Sequence, residues 1–477
     1  MIRNWWLRSM LAIMLLGLLA ACGGAPAATE PTAAPAAAEP TAAPAAAAPT
    51  AAPAAAEPTA APAVAAPTAA PAAGEKPKMT IWLTTSYTPE ADALQKQYVQ
   101  EWADSKGVDL TIVQDSATVI EPQLNAATET KTLPDVISWA SPSWAPKLYH
   151  LGLLLDVSDI VAKNNSQGGG LYEPAIRAVT DNGKQFAVPT HSATEVFYVR
   201  KDLLAAKGLA LPKTWEDVLK VGKALTEKGK IWGWGAHLGM PSYDAEISLM
   251  SMLASYGSSP YAEDGKTPNL DNDGTRQVLA LVKDAWDSGA IPPDSITWDD
   301  SGNNKAYLTG AAAMVYNTGS IINAMRKDNP DLLKNTEVVP IPAGPKGQKL
   351  LGYIYGFMIS KDTKYPDLAK DLLLYYTAPE RQAKIVEAAG SNYMPLYKDL
   401  SKEKMWEDPY NATLIGQLGN NAAIGYPGPT TQWALEAWQT HTVTEMVNKV
   451  LVEGVSPDDA IKETQDKLNQ IYKQFNP

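Results

Sequence analysis

Side chains that could perform chemistry are few and widely separated in this chain. Its 477 residues include one cysteine and four histidines. The sequence has no H-E-x-x-H, no G-x-S-x-G and no phosphate-binding glycine loop. The histidines also lack the spacing of metal ligands, since they stand at His150, His191, His237 and His441. We therefore expect no enzyme, no bound metal and no cofactor.

Two acidic stretches deserve comparison with known sites. The sequence NLDNDG at residues 269–274 resembles a calcium loop, but the twelfth position is Ala280, where a bidentate glutamate is required. This stretch is better explained as a turn and helix cap. Asp299 and Asp300 are candidate glycosidase carboxylates, yet an acid and a nucleophile must lie on opposite sides of the scissile bond. We interpret them as a solvated turn or as acceptors for ligand hydroxyls.

The aromatic residues are more informative than the acidic ones. The chain has 14 Trp and 20 Tyr but only 4 Phe. Trp and Tyr combine an apolar ring with a polar group that needs a partner, whereas Phe serves packing alone. A sugar, with apolar C–H faces and a rim of hydroxyls, is a ligand that such rings would suit. For any single ring, a structural role in a core is the competing interpretation.

Strand and helix patterns alternate after the first part of the chain. Strand-like residues occupy 78–86, 108–115 and 134–140, and helical spacing occupies 89–107 and 119–132. This order predicts a parallel α/β sheet, whose ligands bind beyond the carboxyl ends of the strands. The segments at those ends are 84–87 and 139–143, which include Tyr87, Trp139 and Ser141.

Later segments carry recognisable helix starts. Residues 184–204 contain two extended runs, interrupted at 189–194. Thr214 with Asp217 forms a capping box, and a second cap is predicted at Ser456, with Pro457 at the first helical position. The last of these helices ends the chain as an amphipathic segment.

The N-terminal residues read as a lipoprotein signal. Arg3 and Arg8 precede an apolar run at residues 10–21, which is shorter than the roughly 20 residues of a membrane-spanning helix. The run ends in LAAC, the bacterial lipoprotein signal box, so we expect cleavage after residue 21 and a lipid on Cys22. An uncleaved anchor with an incidental cysteine is the alternative.

A repetitive segment follows this anchor. Residues 30–74 repeat every nine residues and consist of Ala, Pro, Thr and a few Glu. No large apolar side chain is present to offset the entropy of ordering, and the recurrent prolines interrupt helix. We expect residues 22–77 to be the lipidated cysteine and a disordered spacer of about 3 Å per residue. It would separate a folded body from the membrane.

The folded body is long enough for two lobes, because a single core rarely accommodates so many residues. The formal net charge of the chain is −12, which argues against nucleic acid or an anionic membrane surface as the ligand. An acidic body without an obvious Arg and Lys cluster also argues against an anionic solute.

Several motifs occur together in a specific order. They are PKTWEDVLKVGKALTEKG, AYLTGAAAMVYN, PIPAGPKGQKLLGYIYGFMIS and YPDLAKDLLLYYTAPERQAKIVEAAGSNYMP. In this order they resemble the extracellular solute-binding proteins of ABC importers, and within them the oligosaccharide-binding group that includes maltose-binding proteins. The similarity covers residues 78–477. It implies an α/β, two-lobed periplasmic-binding-protein fold, with the ligand cleft between lobes that hinge strands join.

The resemblance also implies domain boundaries. An N-lobe would comprise residues 78–190 and 356–396, and a C-lobe would comprise residues 191–355 and 397–477. The chain would cross between the lobes at 189–194 and again at 352–356.

Ligand-binding positions follow from the same resemblance. Trp139 occupies the place of a tryptophan that follows the PDV strand in sugar-binding relatives, and Trp433 that of a tryptophan near a late C-lobe helix. Tyr243 matches a tyrosine after the capped helix. Asn317 stands where the family often has a cleft tryptophan, so one stacking ring is missing. The remaining candidates lie at the crossings: His191, Tyr353 and Tyr355.

These features predict a lipid-anchored extracytoplasmic receptor, held to a bacterial membrane, that captures a sugar and delivers it to an ABC permease. We expect a monomer whose partners are the sugar ligand, the permease subunits and the membrane through Cys22. Two alternatives remain: a surface-tethered carbohydrate-active enzyme or adhesin, and a receptor for a non-sugar solute such as a glycerol-phosphate ester. Product analysis with oligosaccharides distinguishes the enzyme from the receptor.

Overall fold

The structure is a computed structural model that describes residues 76–86, 88–138, 143–240 and 242–476, without the side chain of Thr118. These residues fall within one unit of the fold, Ala70–Pro477. The predicted signal segment, Cys22 and the repetitive spacer up to residue 75 lie outside the described residues, as do Tyr87, Trp139 and Ser141.

The strands in the described ranges form two main sheets and two short pairs. They are β1 (Lys78–Thr84), β2 (Asp109–Asp115), β3 (Val136–Ser138), β4 (Thr180–Asp181), β5 (Lys184–Gln185), β6 (Val188–Ala193), β7 (Glu195–Arg200), β8 (Met314–Thr318), β9 (Thr336–Val339), β10 (Leu350–Leu351), β11 (Tyr353–Ile359), β12 (Met394–Pro395) and β13 (Asn421–Ala422).

Helices surround these sheets. They are α1 (Pro89–Lys106), α2 (Ala117–Thr130), α3 (Trp144–His150), α4 (Ser158–Asn165), α5 (Glu173–Ala178), α6 (Lys201–Ala206), α7 (Trp215–Leu225), α8 (Tyr243–Ser255), α9 (Asp273–Asp287), α10 (Gly302–Leu308), α11 (Ser320–Asp328), α12 (Pro330–Lys334), α13 (Pro366–Tyr376), α14 (Pro379–Ala389), α15 (Pro409–Gln417), α16 (Gln432–Gln439), α17 (Thr442–Leu451) and α18 (Pro457–Phe475). None of the helices in the described part of the chain has the length and apolar character needed to cross a bilayer.

The N-lobe is built on a six-stranded sheet with the order β12-β6-β11-β3-β1-β2. Strand β1 pairs in parallel with β2, from Lys78 opposite Asp109 to Thr84 opposite Asp115. It also pairs in parallel with β3, while β11 runs antiparallel to both β3 and β6. The carboxyl ends of β1, β2 and β3 therefore meet at one edge of the sheet, as the alternating pattern predicted.

The C-lobe is organised around a three-stranded antiparallel sheet with the order β8-β7-β9. Successive residues of β7 alternate between two cores: Phe197 and Val199 pack into one, and Val196 and Tyr198 into the other. This alternation is the expected period of a strand that is covered on both faces. Both cores are rich in large buried side chains, which fixes the sheet relative to the helices around it.

Most of the predicted helix ends are confirmed. Thr214 caps α7 with a reciprocal capping box to Asp217, and Gly107 ends α1 in the left-handed conformation, with φ of 67°. Ser456 caps α18, with its Oγ accepting from the Asp459 amide at 3.2 Å. Asn272, within the stretch that resembles a calcium loop, caps α9 by accepting from the Thr275 amide at 3.2 Å.

The predicted interruption at residues 189–194 is wrong. Val188–Ala193 is strand β6, and only Thr194 separates it from β7. A proline fits inside this strand because the register between β6 and β11 shifts beside it: Pro189 lies opposite Gly356, after a break between Tyr355 and Gly356. Such an irregularity accommodates a residue that has no amide hydrogen to donate.

Sheet pairing bears on the boundaries between the lobes. Ala193 pairs with Tyr353, and His191 with Tyr355, inside the N-lobe sheet. Residues 191–193 and 353–355 therefore belong to strands of that sheet, although the family resemblance placed them in the C-lobe. We propose that the crossings lie at Thr194 and Gly352. The other domain boundaries stay predictions.

Candidate ligand-binding cleft

A cavity of about 1360 Å³ lies between the two lobes. Its N-lobe wall includes Thr84 at the end of β1, the next two residues 85–86, Ser116 after β2 and Ser138 at the end of β3. These positions meet because the carboxyl ends of neighbouring parallel strands share one edge, the usual ligand position in open α/β sheets. Hydroxyl groups dominate this wall, so it offers donors and acceptors of hydrogen bonds.

Three stacked rings form the floor of the cavity at the hinge. His191 on β6 lies between Tyr355 on β11, with ring centroids 5.0 Å apart, and Tyr393, at 3.6 Å. Burial lowers the pKa of His191 to about 3, so its imidazole is neutral at physiological pH. All three residues line the cavity. The neutral stack gives the hinge apolar ring surface at the place where both lobes join.

Aromatic residues also form part of the C-lobe wall. Tyr243, at the start of α8, stacks parallel to Trp438 of α16, with centroids 5.8 Å apart and an interplanar angle of 9°. The ring of His441 also contacts Tyr243, with ring centroids 5.0 Å apart. Burial raises the pKa of Tyr243 to about 12, so the hydroxyl keeps its proton. Tyr243 and His441 line the cavity, and the fully buried Trp438 supports the tyrosine ring from behind.

An amide and hydroxyl network continues this wall. The Asn317 side-chain nitrogen donates to the side-chain oxygen of Asn304, whose own nitrogen donates to Ser320 Oγ at 3.1 Å. Asn317 Oδ1 accepts in turn from Ser320 Oγ at 3.2 Å and from the Thr318 amide at 2.7 Å. These contacts fix the amides at the cavity surface.

Three carboxylates gather near the middle of the C-lobe wall. Asp300, before α10, accepts from the Ser242 hydroxyl and from the Asp244 amide, the latter at 3.3 Å. Burial, together with the Asp300 carboxylate, raises the pKa of Asp244 well above its ordinary value. The pKa of Glu195, at the start of β7, is also raised well above its ordinary value, mainly by burial and then by the Asp244 carboxylate. Asp244 and Asp300 line the cavity.

Five of the predicted ligand-binding residues are brought together by the fold. The cavity lining includes His191, Tyr243, Asn317, Tyr353 and Tyr355. Whether they bind a ligand stays a prediction. Tyr87, Trp139 and Ser141 lie outside the described residues, and their part in binding stays a prediction.

Trp433 requires a correction. Its side chain is 1% exposed, and its indole nitrogen donates to the Gly265 carbonyl at 2.7 Å. Edge contacts with Tyr261 and Tyr472 complete its surroundings in the C-lobe core. It therefore lies away from the described cavity lining, and we no longer propose it as a ligand contact.

Sequence reasoning missed several residues of this site, among them Tyr393, Trp438 and Asp244. Tyr393 belongs to the quoted stretch ending in GSNYMP, and Trp438 is the second tryptophan of TTQWALEAW. Asp244 follows the predicted Tyr243 directly. No local pattern marks them, because each owes its place to segments far away in the chain. Among the described residues, no group of three His, Cys, Asp or Glu side chains is arranged to hold a metal ion.

Two α/β lobes with a polar and aromatic cavity between them define a binding protein that encloses a small solute. The model of the family "Bacterial extracellular solute-binding protein" matches residues 97–413, and the chain belongs to this family.

Individual relatives are distant in sequence but similar in fold. The chain is 23% identical to the arabinooligosaccharide-binding protein of Bacillus subtilis (strain 168) over 236 residues, which cover 48% of this chain and 52% of that protein. The GacH receptor of Streptomyces glaucescens GLA.O, solved unliganded and with acarbose, matches with a TM-score of 0.69 at 19% identity, over 84% of this chain and 100% of that one. A sugar transporter from Arthrobacter chlorophenolicus A6 with bound laminaribiose matches with a TM-score of 0.71 at 17% identity, over 82% and 99%. At such identities the solved structures establish the fold.

Proposed function

We propose that this protein is an extracytoplasmic receptor that binds a saccharide, an oligosaccharide in particular, in the cleft and delivers it to the permease of an ABC importer. The lipid on Cys22 would hold the receptor at a bacterial membrane, and the spacer of residues 22–77 would give it reach. The LAAC box and the repeats support this arrangement.

The observation that carries the proposal is the lining of the cavity. Ring surface from Tyr243, Tyr355 and Tyr393 lies beside hydroxyls, amides and carboxylates. A sugar ring presents a C–H face to an aromatic ring and a rim of hydroxyls to polar groups. It can therefore contact the aromatic and the polar side chains of the cavity at the same time. The volume of about 1360 Å³ exceeds what one monosaccharide needs, which favours an oligosaccharide.

The sugars bound by relatives support the same class of ligand. The names and structures above mention arabinooligosaccharide, acarbose and laminaribiose. These ligands differ in their sugar units and in the bonds between them. The ligands of these relatives therefore support a saccharide as the ligand class, but they do not indicate which saccharide binds.

Titration calorimetry with a panel of di- and trisaccharides tests the proposal. We expect at least one member to bind with a dissociation constant in the micromolar range or below, which is about −8 kcal/mol or better. Chromatography of the same mixtures should return every sugar intact, because a receptor releases its ligand unchanged. A panel without any binder would contradict the proposal. Cleaved products would instead identify the carbohydrate-active enzyme.

A further inference from the structure

Glu195 and Asp244 have no basic partner among the described residues, and Asp300 acts electrostatically on His237 and His441, whose pKa values burial lowers. Glu195 comes from the start of β7, Asp244 from the first turn of α8 and Asp300 from the loop before α10. Every charged neighbour that acts on Glu195 or Asp244 is another carboxylate. Like charges at short distance repel one another, and burial increases the effect because little water screens them. Burial and this repulsion raise the pKa of Asp244 and of Glu195, so without a cation beside them both carboxyl groups hold their protons to a higher pH than free carboxyl groups do. A cation at this place would favour their ionised forms.

Buried polar atoms beside these carboxylates lack hydrogen-bond partners. Within the described residues, neither carboxylate oxygen of Glu195 has one, and the side chain is fully buried. The Tyr316 hydroxyl lies beside this carboxylate and lowers its pKa as a weak hydrogen-bond donor, but within 3.5 Å its partner is Ser251 Oγ, at 3.4 Å. A buried polar group without a partner destabilises the fold, so a ligand that supplies the partner is favoured.

The hydroxyl of Tyr353 is a second unsatisfied group in the same place. It is buried without a partner among the described residues, on a side chain that is 5% exposed and lines the cavity. Asp244, Glu195 and Asp300 all act electrostatically on it. The unsatisfied Tyr353 hydroxyl and Glu195 carboxyl, together with the acidic Asp244 and Asp300 at the cavity, therefore point to a cationic group that would enter from the cavity.

The rest of the cavity does not supply that group. Arg326 and Lys327 line the cavity, but the Arg326 guanidinium already binds Asp408 at 2.8 Å and Ser391 Oγ at 2.8 Å. The exposed Lys327 forms no ion pair with the three carboxylates in the described part of the chain. Glu90 and Glu121 add further acidic side chains on the N-lobe wall. The balance of charge in the cavity is therefore negative.

A protonated amine fits these requirements better than a hydroxyl does. An ammonium group offers three N–H donors and one positive charge, so it can satisfy unpaired oxygens and offset carboxylate repulsion together. A sugar hydroxyl supplies one donor and no charge, which leaves the repulsion in place. A metal ion lacks the three-ligand group it would need among the described residues.

We propose that the C-lobe wall at Tyr353, Asp244 and Asp300, with Glu195 behind them, binds the protonated amine of an aminosaccharide. This inference rests on the proposed saccharide receptor and narrows its ligand class. The aromatic rings of the cavity would hold the sugar faces, and the acidic cluster would select the charged nitrogen. The Tyr353 hydroxyl would accept one N–H of the amine through an oxygen lone pair.

Matched pairs of sugars test the selection directly. The full chain is titrated at neutral pH with glucosamine, galactosamine and the β-1,4 dimer and trimer of glucosamine. The N-acetylated form of each probe, which has the same ring without the charge, is titrated beside it. We expect at least one amine to bind about tenfold or more tightly than its acetylated partner, which corresponds to about 1.4 kcal/mol.

Failures of the two proposals are distinguishable in this experiment. If neutral saccharides bind and no amine is preferred, the amine subsite is overturned while the receptor stands. If neither neutral nor basic saccharides bind, both are overturned.

Variants locate the selection at the acidic cluster. Asp244→Asn and Glu195→Gln should each reduce the preference for the amine by about tenfold or more, because each removes a carboxyl group that can ionise and pair with the amine. Glu263→Gln makes the same change at an exposed position and should leave the preference unchanged. Melting curves verify folding, and Asp244→Asn keeps the test decisive if the fully buried Glu195→Gln fails to fold. An unchanged preference in folded Asp244→Asn overturns the proposal.

Discussion

Tyr243 lines the cleft, while the neighbouring Trp438 packs in the core behind it. The tyrosine ring lines the cavity on one side and stacks on the buried Trp438 on the other. Because Trp438 fills the core behind it, the tyrosine ring is held in place without being part of the core itself. This division allows binding and stability to be measured separately.

We expect Tyr243→Ala to weaken saccharide binding by about tenfold or more, since large aromatic contacts are commonly worth about 2 kcal/mol in binding sites. Calorimetry with the best sugar of the panel measures the loss. Tyr472→Ala removes the same kind of ring at a position that contacts Trp433 outside the cavity, and it should bind normally. Equal effects of the two substitutions on binding would show that Tyr243 has no special place in the site.

Glu246 is a buried carboxylate that serves the fold and not the cavity. It accepts hydrogen bonds from the Val443 amide at 3.0 Å, the Thr444 amide at 2.8 Å and Thr444 Oγ1 at 2.7 Å, at the N-terminus of α17. Burial nevertheless raises its pKa from 4.5 to about 7, against the lowering effect of these donors. The folded protein therefore holds this proton to a higher pH than the unfolded chain does.

This shift predicts the sign of a pH effect on stability. Glu246 contributes its full stability below pH 4.5, and the contribution is lost as pH rises through about 7. Across that interval, the free energy of unfolding of the wild type should fall by about 3 kcal/mol relative to Glu246→Gln. Urea unfolding of both proteins at several pH values measures the difference. Parallel pH profiles would show that Glu246 titrates normally in the fold.

At the scale of elements, the start of α11 illustrates how closely the segments around the cleft approach. Gly319 links β8 to α11, and a Cβ atom added there would stand 1.6 Å from the Ser391 carbonyl oxygen. Ser391 lies in the turn Gly390–Asn392, just before β12. A side chain at position 319 would therefore push apart two segments that line the cavity.

Gly319→Ala should lower the free energy of unfolding by about 1–3 kcal/mol, the usual cost of overpacking. Gly416→Ala is the matched control, because Gly416 lies in α15 with open space around its Cβ position. Alanine should stabilise that helix by roughly 0.5–1 kcal/mol. Denaturant unfolding of both variants measures the contrast. A neutral Gly319→Ala would mean that the turn at Ser391 yields easily.

At the scale of the whole molecule, attachment to the membrane is proposed to depend on one sulfur atom, since the chain has a single cysteine. Cys22→Ser should abolish incorporation of labelled fatty acid and leave unprocessed precursor, because it removes the thiol that would carry the lipid. Attachment to the membrane should weaken as well, since acyl chains contribute about 0.8 kcal/mol per buried CH₂. Thr32→Ala, in the repetitive segment, should be processed and labelled normally. Normal labelling of Cys22→Ser would refute the lipoprotein interpretation.

The sequence by itself determined the local elements and the class of protein. Strand and helix periods, the caps at Thr214 and Ser456 and the parallel start of the N-lobe sheet depend on residues close together in the chain. The ordered motifs then indicated the solute-binding family, which the family model confirms. Such local signals can be recognised from the sequence because all the residues that form each signal lie within a single helix or strand.

Only the tertiary structure decided which side chains face the cleft. Trp433 and Trp438 lie on the same short helix, yet five residues at 3.6 per turn place them about 140° apart, so one enters the core by Gly265 while the other supports Tyr243. The stack of His191 with Tyr355 and Tyr393 joins strands and a turn that are distant in sequence. The acidic cluster likewise needs β7, α8 and the loop before α10 to meet. Such convergence depends on how whole elements pack, and no periodicity within one segment encodes it.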